Sequence, residues 1–180
     1  MADKPTERAV ARCLAFERFR RNFVLPRYTP RDWWECDLFE ITGGGYFREY
    51  EIKLTRADFA ADRVKSKTDH QIVEGRWQNI ERLKYREFRS DHPARPVQFW
   101  YVTPMGMVKP EEVPEFAGLI EFEWRATRKF QAVEREVKKA PRLHQIKLDP
   151  KIRAHAESVC YWRMHHLMND LDEMEMVEPD

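Results

Sequence analysis

The chain has 180 residues, 42% hydrophobic and 35% charged, with a formal net charge of +1. This composition suits one sizeable core with appended ends and argues against a disulfide-framed protein, since Cys13, Cys36 and Cys160 are scattered and form no CxxC pair. No apolar run approaches the ~20 residues needed to cross a bilayer, and the opening MADKPTERAVARC lacks the apolar stretch of a secretory signal, so a reducing cytoplasm is the expected setting.

In chain order, residues 7 to 22 read as a helix with Val10, Cys13, Leu14 and Glu17 on one stripe; Glu17 is thereby expected on the buried side. Residues 22 to 28 form a short apolar strand ending at Pro26 or Pro30. Trp34 to Thr42 reads as an interior strand, and Gly43-Gly44-Gly45 as a short hairpin turn. On the strand that follows, Tyr46, Tyr50, Ile52 and Leu54 alternate with Phe47, Glu49, Glu51 and Lys53, giving one core face and one mostly polar face.

Thr55 caps a helix running to about Lys65, with Asp58 three residues on. Residues 66 to 96 are polar and mixed; a helix is expected from about Gln71 to Phe88, closed by Pro93 and Pro96. Val97 to Val102, β-branched and aromatic between prolines, is the strongest strand pattern and belongs mid-sheet. Pro110 to Pro114 make a short capped segment, Gly118 to Glu123 another strand, and residues 128 to 138 an edge strand. Asp149 as cap and Pro150 at the first helical position start a final helix to about Asn169. The expected organisation is a domain over residues 1–148 with a helical insertion near 66–96, a C-terminal helix over 149–170 packed on it, and a disordered acidic tail over 171–180.

Charge is segregated. Residues 164 to 180 carry six acids (Asp170, Asp172, Glu173, Glu175, Glu178, Asp180) and no Lys or Arg, which leaves +7 on the remainder. The first 31 residues hold eight basic and three acidic side chains, Arg18, Arg20, Arg21, Arg27 and Arg31 among them. A basic body is compatible with binding nucleic acid, where Lys and Arg replace phosphate counterions, and equally with a solvated surface.

The candidate chemistry lies around the glycines. A hairpin centred on Gly44 brings together positions whose numbers sum to 88, Asp37 and Glu51 among them, and Lys53 shares their face. Directly opposed carboxylates destabilise a sheet, so the pair calls for a cation, and a hard divalent ion such as Mg²⁺ fits. A one-residue slip would send Asp37 to the other face. Spacing alone is as compatible with a salt-bridged hairpin. Two further acid-x-Lys triplets are set aside: Pro150 interrupts Asp149 and Lys151, and Glu136 with Lys138 has no opposed acid. Cys160, His165 and His166 lack a second ligand pair for zinc, Trp33 and Trp34 suit a core or rim better than base stacking, and the triple glycine lacks the GK[ST] of a phosphate loop. Arg56, Arg63, Lys65 and Lys67 follow the triplet directly, as DNA-backbone contacts or as a solvated helix face.

Helix, three-strand meander, helix and strand, with Asp37 on the second strand and Glu51-Ile52-Lys53 on the third, resembles the PD-(D/E)xK nuclease superfamily. Within it, EYEIKLTRADFAADRVK, FWYVTP and PEEVPEFAGLIEFE are similar to the MmcB-like DNA-repair branch, over roughly residues 10 to 140. The longer stretch 66–96 and the final helix depart from that pattern. The resemblance implies an α/β, restriction-endonuclease-like mixed sheet with an α-β-β-β-α-β core flanked by helices, plus an extra C-terminal helix. It implies Mg²⁺ or Mn²⁺ on Asp37, Glu51 and the Ile52 backbone carbonyl, with Lys53 holding or activating water and offsetting phosphate charge. Glu17 is a further candidate acid, against an ion pair with Arg20 or Arg21. The implied activity is metal-dependent DNA hydrolysis in repair, restriction or phage DNA processing, within a bacterial or phage-infected cell, by an enzyme that acts as a homodimer in many relatives. The alternative is a DNA-binding or assembly module that keeps the fold without cutting.

Overall fold

A computed structural model describes residues 4–90, 94–125 and 131–175. Helix α1 (Glu7–Arg18) starts where Thr6 Oγ1 accepts a hydrogen bond from the Ala9 N–H, with Glu7 in its first turn and Arg18 in its last, both matched to the helix dipole. It buries Val10, Ala11 and Leu14. Three antiparallel strands follow: β1 (Phe23–Tyr28), β2 (Cys36–Ile41) and β3 (Phe47–Ile52). The β2–β3 turn is a three-residue loop in which the Gly45 N–H donates to Thr42 O and Gly45 takes φ +82, a conformation natural to glycine.

Helix α2 (Arg56–Ala61), capped by Thr55, and a 3-10 turn (Asp62–Val64) lead to β4 (Ser66–Val73) and β5 (Arg76–Leu83), then to the single-turn α3 (Lys84–Glu87). Strands β6 (Gln98–Pro104), β7 (Ala117–Arg125) and β8 (Gln131–Lys138) complete a mixed six-stranded sheet in the order β1-β2-β3-β6-β7-β8, with β6 parallel to both its neighbours. β6 is buried on both faces from Phe99 to Thr103, as its apolar run requires. The protein is thus a mixed α/β fold, a mixed sheet flanked by helices, with a C-terminal helix α4 (Pro150–Glu175).

One face of the sheet (Leu38, Tyr50, Ile52, Trp100, Val102, Ile120, Phe122) packs on α1 through Val10, Ala11 and Leu14. On the other, Phe59 of α2 meets Tyr101, and Phe88 meets Phe99. Gly118 lets β7 close against its surroundings: a Cβ there would lie 2.6 Å from both Trp100 Cδ1 and the Ala140 backbone nitrogen. Backbone does not yield as a side chain does, so Gly118→Ala is expected to cost about 1–3 kcal/mol of stability by overpacking, read as a lowered urea midpoint.

Three expectations are corrected. The segment read as a helix from Gln71 to Phe88, and as a helical insertion over 66–96, is a two-stranded antiparallel arm, β4–β5. Its turn is Glu74-Gly75, both at positive φ (51° and 75°), a two-residue loop whose twist matches paired strands. The stripe of α1 omits Glu17, which is exposed, because Val10, Ala11 and Leu14 already define the buried arc. The helix expected to stop near Asn169, with an unstructured tail from 171, continues to Glu175. Glu178 and Asp180 lie outside the described residues, as do Pro93 and the first part of the strand expected over 128–138.

The Cα packing divides the chain after Leu148 into Met1–Leu148 and Asp149–Asp180. α4 begins as expected, with Asp149 Oδ1 accepting from the Lys151 N–H at 2.8 Å. Among the described residues, no helix is long and apolar enough to cross a membrane.

Candidate functional site

The β2–β3 ladder pairs Leu38 with Tyr50, Phe39 with Glu49, Glu40 with Arg48 and Ile41 with Phe47. This is the register in which position numbers sum to 88, and it continues to Asp37 opposite Glu51. Asp37 Oδ2 accepts from the Ile52 N–H at 2.7 Å, setting that carboxylate against the backbone of the triplet.

Glu51 is 2% exposed and carries three ammonium groups: Lys53 at 2.9 Å and Lys65 at 2.7 Å on Oε1, and Lys84 at 2.8 Å on Oε2. Lys84, fully buried, also holds Glu49 Oε1 at 2.6 Å, while Glu49 Oε2 accepts from Trp33 Nε1 at 2.7 Å. Lys53 reaches the buried Asp62 at 3.0 Å, and Asp62 Oδ2 accepts from the Tyr101 hydroxyl, itself 2.6 Å from the Tyr85 hydroxyl. Three acids and three lysines thus form one network beside Asp37, in which the cation that the opposed carboxylates require is supplied in part by the protein.

The protonation states follow from this. Burial disfavours a charged Glu51, but Lys84, Lys53 and Lys65 outweigh it and hold the carboxyl well below the usual carboxylate range. Burial likewise disfavours the ammonium of Lys53, and Glu51 with Asp62 outweighs that, so it stays protonated above its ordinary value. Lys84 is held charged in the same way by Glu49, Glu51 and Asp62. The exceptions are Glu49, which burial raises above its ordinary value against the Lys84 ammonium, and Asp37. Burial, then the charge of Glu51, pushes its pKa up to about 7, against the opposing Ile52 N–H and Lys53, with Glu7 of α1 raising it further.

That shift has a thermodynamic sign. The folded chain binds the Asp37 proton more tightly than the unfolded chain, so this group's contribution to stability is lost as pH rises through 7. Between about pH 6 and pH 8 it should remove about 1 kcal/mol. Asp37→Asn is expected to abolish that difference, measured as the urea midpoints of parent and variant at the two pH values.

The structure brings Asp37, Glu51, Ile52 and Lys53 together, and Lys65 joins them as a ligand of Glu51. Glu17 does not join them: it lines an open cleft of about 770 Å³ with Arg18, Arg48, Tyr50 and Trp100, and the rings of Tyr50 and Trp100 lie on the opposite face of the sheet from Glu51. The acid that α1 brings within electrostatic reach of Asp37 is Glu7. Arg56 pairs with Glu112, Arg63 donates to the Glu112 carbonyl, and Lys67 lies 5.0 Å over the Trp34 ring. Three residues expected at DNA are therefore engaged within the protein.

Oxygen donors suited to a hard divalent cation are present: two neighbouring carboxylates, one of them without a full counter-charge. Among the described residues, no group of three or more His, Cys, Asp or Glu gathers as a metal cage. A cation on Asp37 and Glu51 would share Oε1 with two ammonium groups, and the donor set fits it on condition that one of them moves aside.

No family model matches the chain, and no curated protein matches it. It is similar to a solved structure, the SPO1766 protein of unknown function from Silicibacter pomeroyi, at 19% identity and a TM-score of 0.56, over 97% of this chain and 96% of that one. At such identity the likeness shows a shared fold, and the mixed α/β architecture described above is common to both chains.

Proposed function

We propose that the protein is a metal-dependent phosphodiesterase acting on DNA, with a restriction-endonuclease-like fold of the PD-(D/E)xK type. The observation that carries this reading is the juxtaposition of Asp37 and Glu51 at the ends of β2 and β3 with Lys53 on Glu51. Asp37, Glu51 and the Ile52 carbonyl would hold Mg²⁺ or Mn²⁺, which when bound polarises a phosphoryl oxygen and stabilises the departing oxyanion. Lys53, kept protonated, offsets charge on the phosphate. Asp37, protonated near neutrality in the metal-free site, must give up that proton to hold the ion. The β4–β5 arm extends from Lys65 and returns at Lys84, both on Glu51, and exposes the opposed pair Ile72 and Trp77. A two-stranded ribbon of this kind fits a DNA groove.

A second reading is a DNA-binding module that does not cut, favoured by the three ammonium groups that already satisfy Glu51. The deciding experiment is cleavage of single-stranded, duplex and branched DNA with Mg²⁺ or Mn²⁺, by the parent and by Glu51→Gln. This variant keeps the shape of the site and leaves Lys84 its partner Glu49. Metal-dependent cutting by the parent, lost in the variant, supports the first reading. Binding without cutting supports the second, and absence of both overturns both.

A further inference from the structure

From Tyr161 to Leu171 every residue of α4 is exposed, and Tyr161, Met164, Leu167, Met168 and Leu171 each show more than half their surface. Trp162, also more than half exposed, lies on the other side of the helix, but those five side chains share one face. Positions 160, 164, 167, 171 and 174 are Cys, Met, Leu, Leu and Met, spaced four, three, four and three, which is the a and d pattern of a heptad, and Tyr161 and Met168 widen the same stripe. A helix with such a stripe left in water lacks the packing that supplies most helical stability.

Charge along α4 selects the occupant. Up to Arg163 the helix carries Lys151, Arg153 and Arg163 against one acid, Glu157, which pairs with Arg153, whereas from Asp170 onward the chain is acidic, with no Lys or Arg. Two copies laid parallel would bring acidic end against acidic end. Laid antiparallel, the acidic end of each meets the basic half of the other.

We propose that the protein self-associates through α4, two copies packing antiparallel about a two-fold axis so that positions whose numbers sum to 331 face each other. Met164 of each copy then meets Leu167 of the other, and Cys160 meets Leu171, reciprocally as two-fold symmetry demands. In this register Arg163, flanking the seam, lies beside Asp170 of the second copy, giving two equivalent ion pairs. Self-association rests on α4 alone and stands whether or not the protein cuts DNA.

The test is the mass of the full chain in solution by sedimentation, with register read by oxidative cross-linking and peptide mass spectrometry. The parent is expected to be a concentration-dependent dimer. L167E/L171E, altered only at exposed positions, should be monomeric where the parent is dimeric, with unchanged circular dichroism. R163D should weaken the dimer at least tenfold, and R163D/D170R should restore it. L171C should cross-link to native Cys160 of the second copy. A monomeric parent, a dimer indifferent to L167E/L171E, or a parent cross-linked from Cys160 to Cys160, as a parallel pair would be, overturns the proposal.

Discussion

Lys84→Met should lower the stability of the protein by about 3–5 kcal/mol, the range for removing one partner of a buried ion pair. Lys84 is fully buried and lies 2.6 Å from Glu49 and 2.8 Å from Glu51. Methionine preserves much of the aliphatic stem but leaves both carboxylates short of a counter-charge in a site closed to water. Glu51 keeps Lys53 and Lys65. Glu49 keeps the Trp33 N–H and no cation in contact, so most of the loss falls there. The double variant Lys84→Met with Glu49→Gln should therefore recover a large part, because the neutral amide still accepts from Trp33 and no unpaired charge remains. Groups in one network are not additive, and the cycle formed by parent, two single variants and the double measures the coupling directly. Chemical denaturation is the measurement; a Lys84→Met variant within about 1 kcal/mol of the parent would show that Glu49 carries no buried charge.

What could be read from the chain divides along sequence distance. Asp37, Glu51 and Lys53 were legible because a glycine turn and a two-residue alternation fix their relation locally: once Gly45 closes the loop, the register of β2 on β3 follows, and with it the face each side chain takes. The central place of β6 was legible for a similar reason, since a run apolar on both faces has few other places in an α/β fold. The arm was misread because strand alternation is visible only when one face is buried, and most of β5 is exposed. Ile72-Val73 and Trp77 around Glu74-Gly75 carried the usable signal, β-formers about a turn that needs positive φ. The site depends on this arm. Lys65 and Lys84 stand at the two feet of the arm, where the Lys84 N–H donates to the Lys65 carbonyl. A helix over 71–88 could not have delivered both to Glu51. Asp62 and Glu7 were missed because the 3-10 turn and the first turn of α1 show no period linking them to the hairpin.

The roles of the three lysines separate in one further expected result. On the nuclease reading proposed above, Lys53→Ala should slow metal-dependent DNA cleavage by about 10²–10³, the usual effect of deleting a single pre-placed charge or donor at a reacting centre. Lys84 and Lys65 already neutralise Glu51, whereas Lys53 is held at the edge of the network between Glu51 Oε1 and Asp62 Oδ1, with Asp62 itself fixed by Tyr101. An ammonium pinned by two carboxylates stays charged, so it stabilises a phosphate and does not take a proton from water; the pH dependence of cleavage should accordingly show no limb that vanishes in Lys53→Ala. Lys53→Arg keeps the charge but replaces a compact head with a planar fork too wide for the gap between Glu51 and Asp62, and should recover only part of the rate. Single-turnover kinetics on duplex DNA with Mg²⁺, alongside circular dichroism of each variant, separates this loss from misfolding. A correctly folded Lys53→Ala that cuts at the parental rate would remove the lysine from the chemistry and leave Asp37 and Glu51 to carry it.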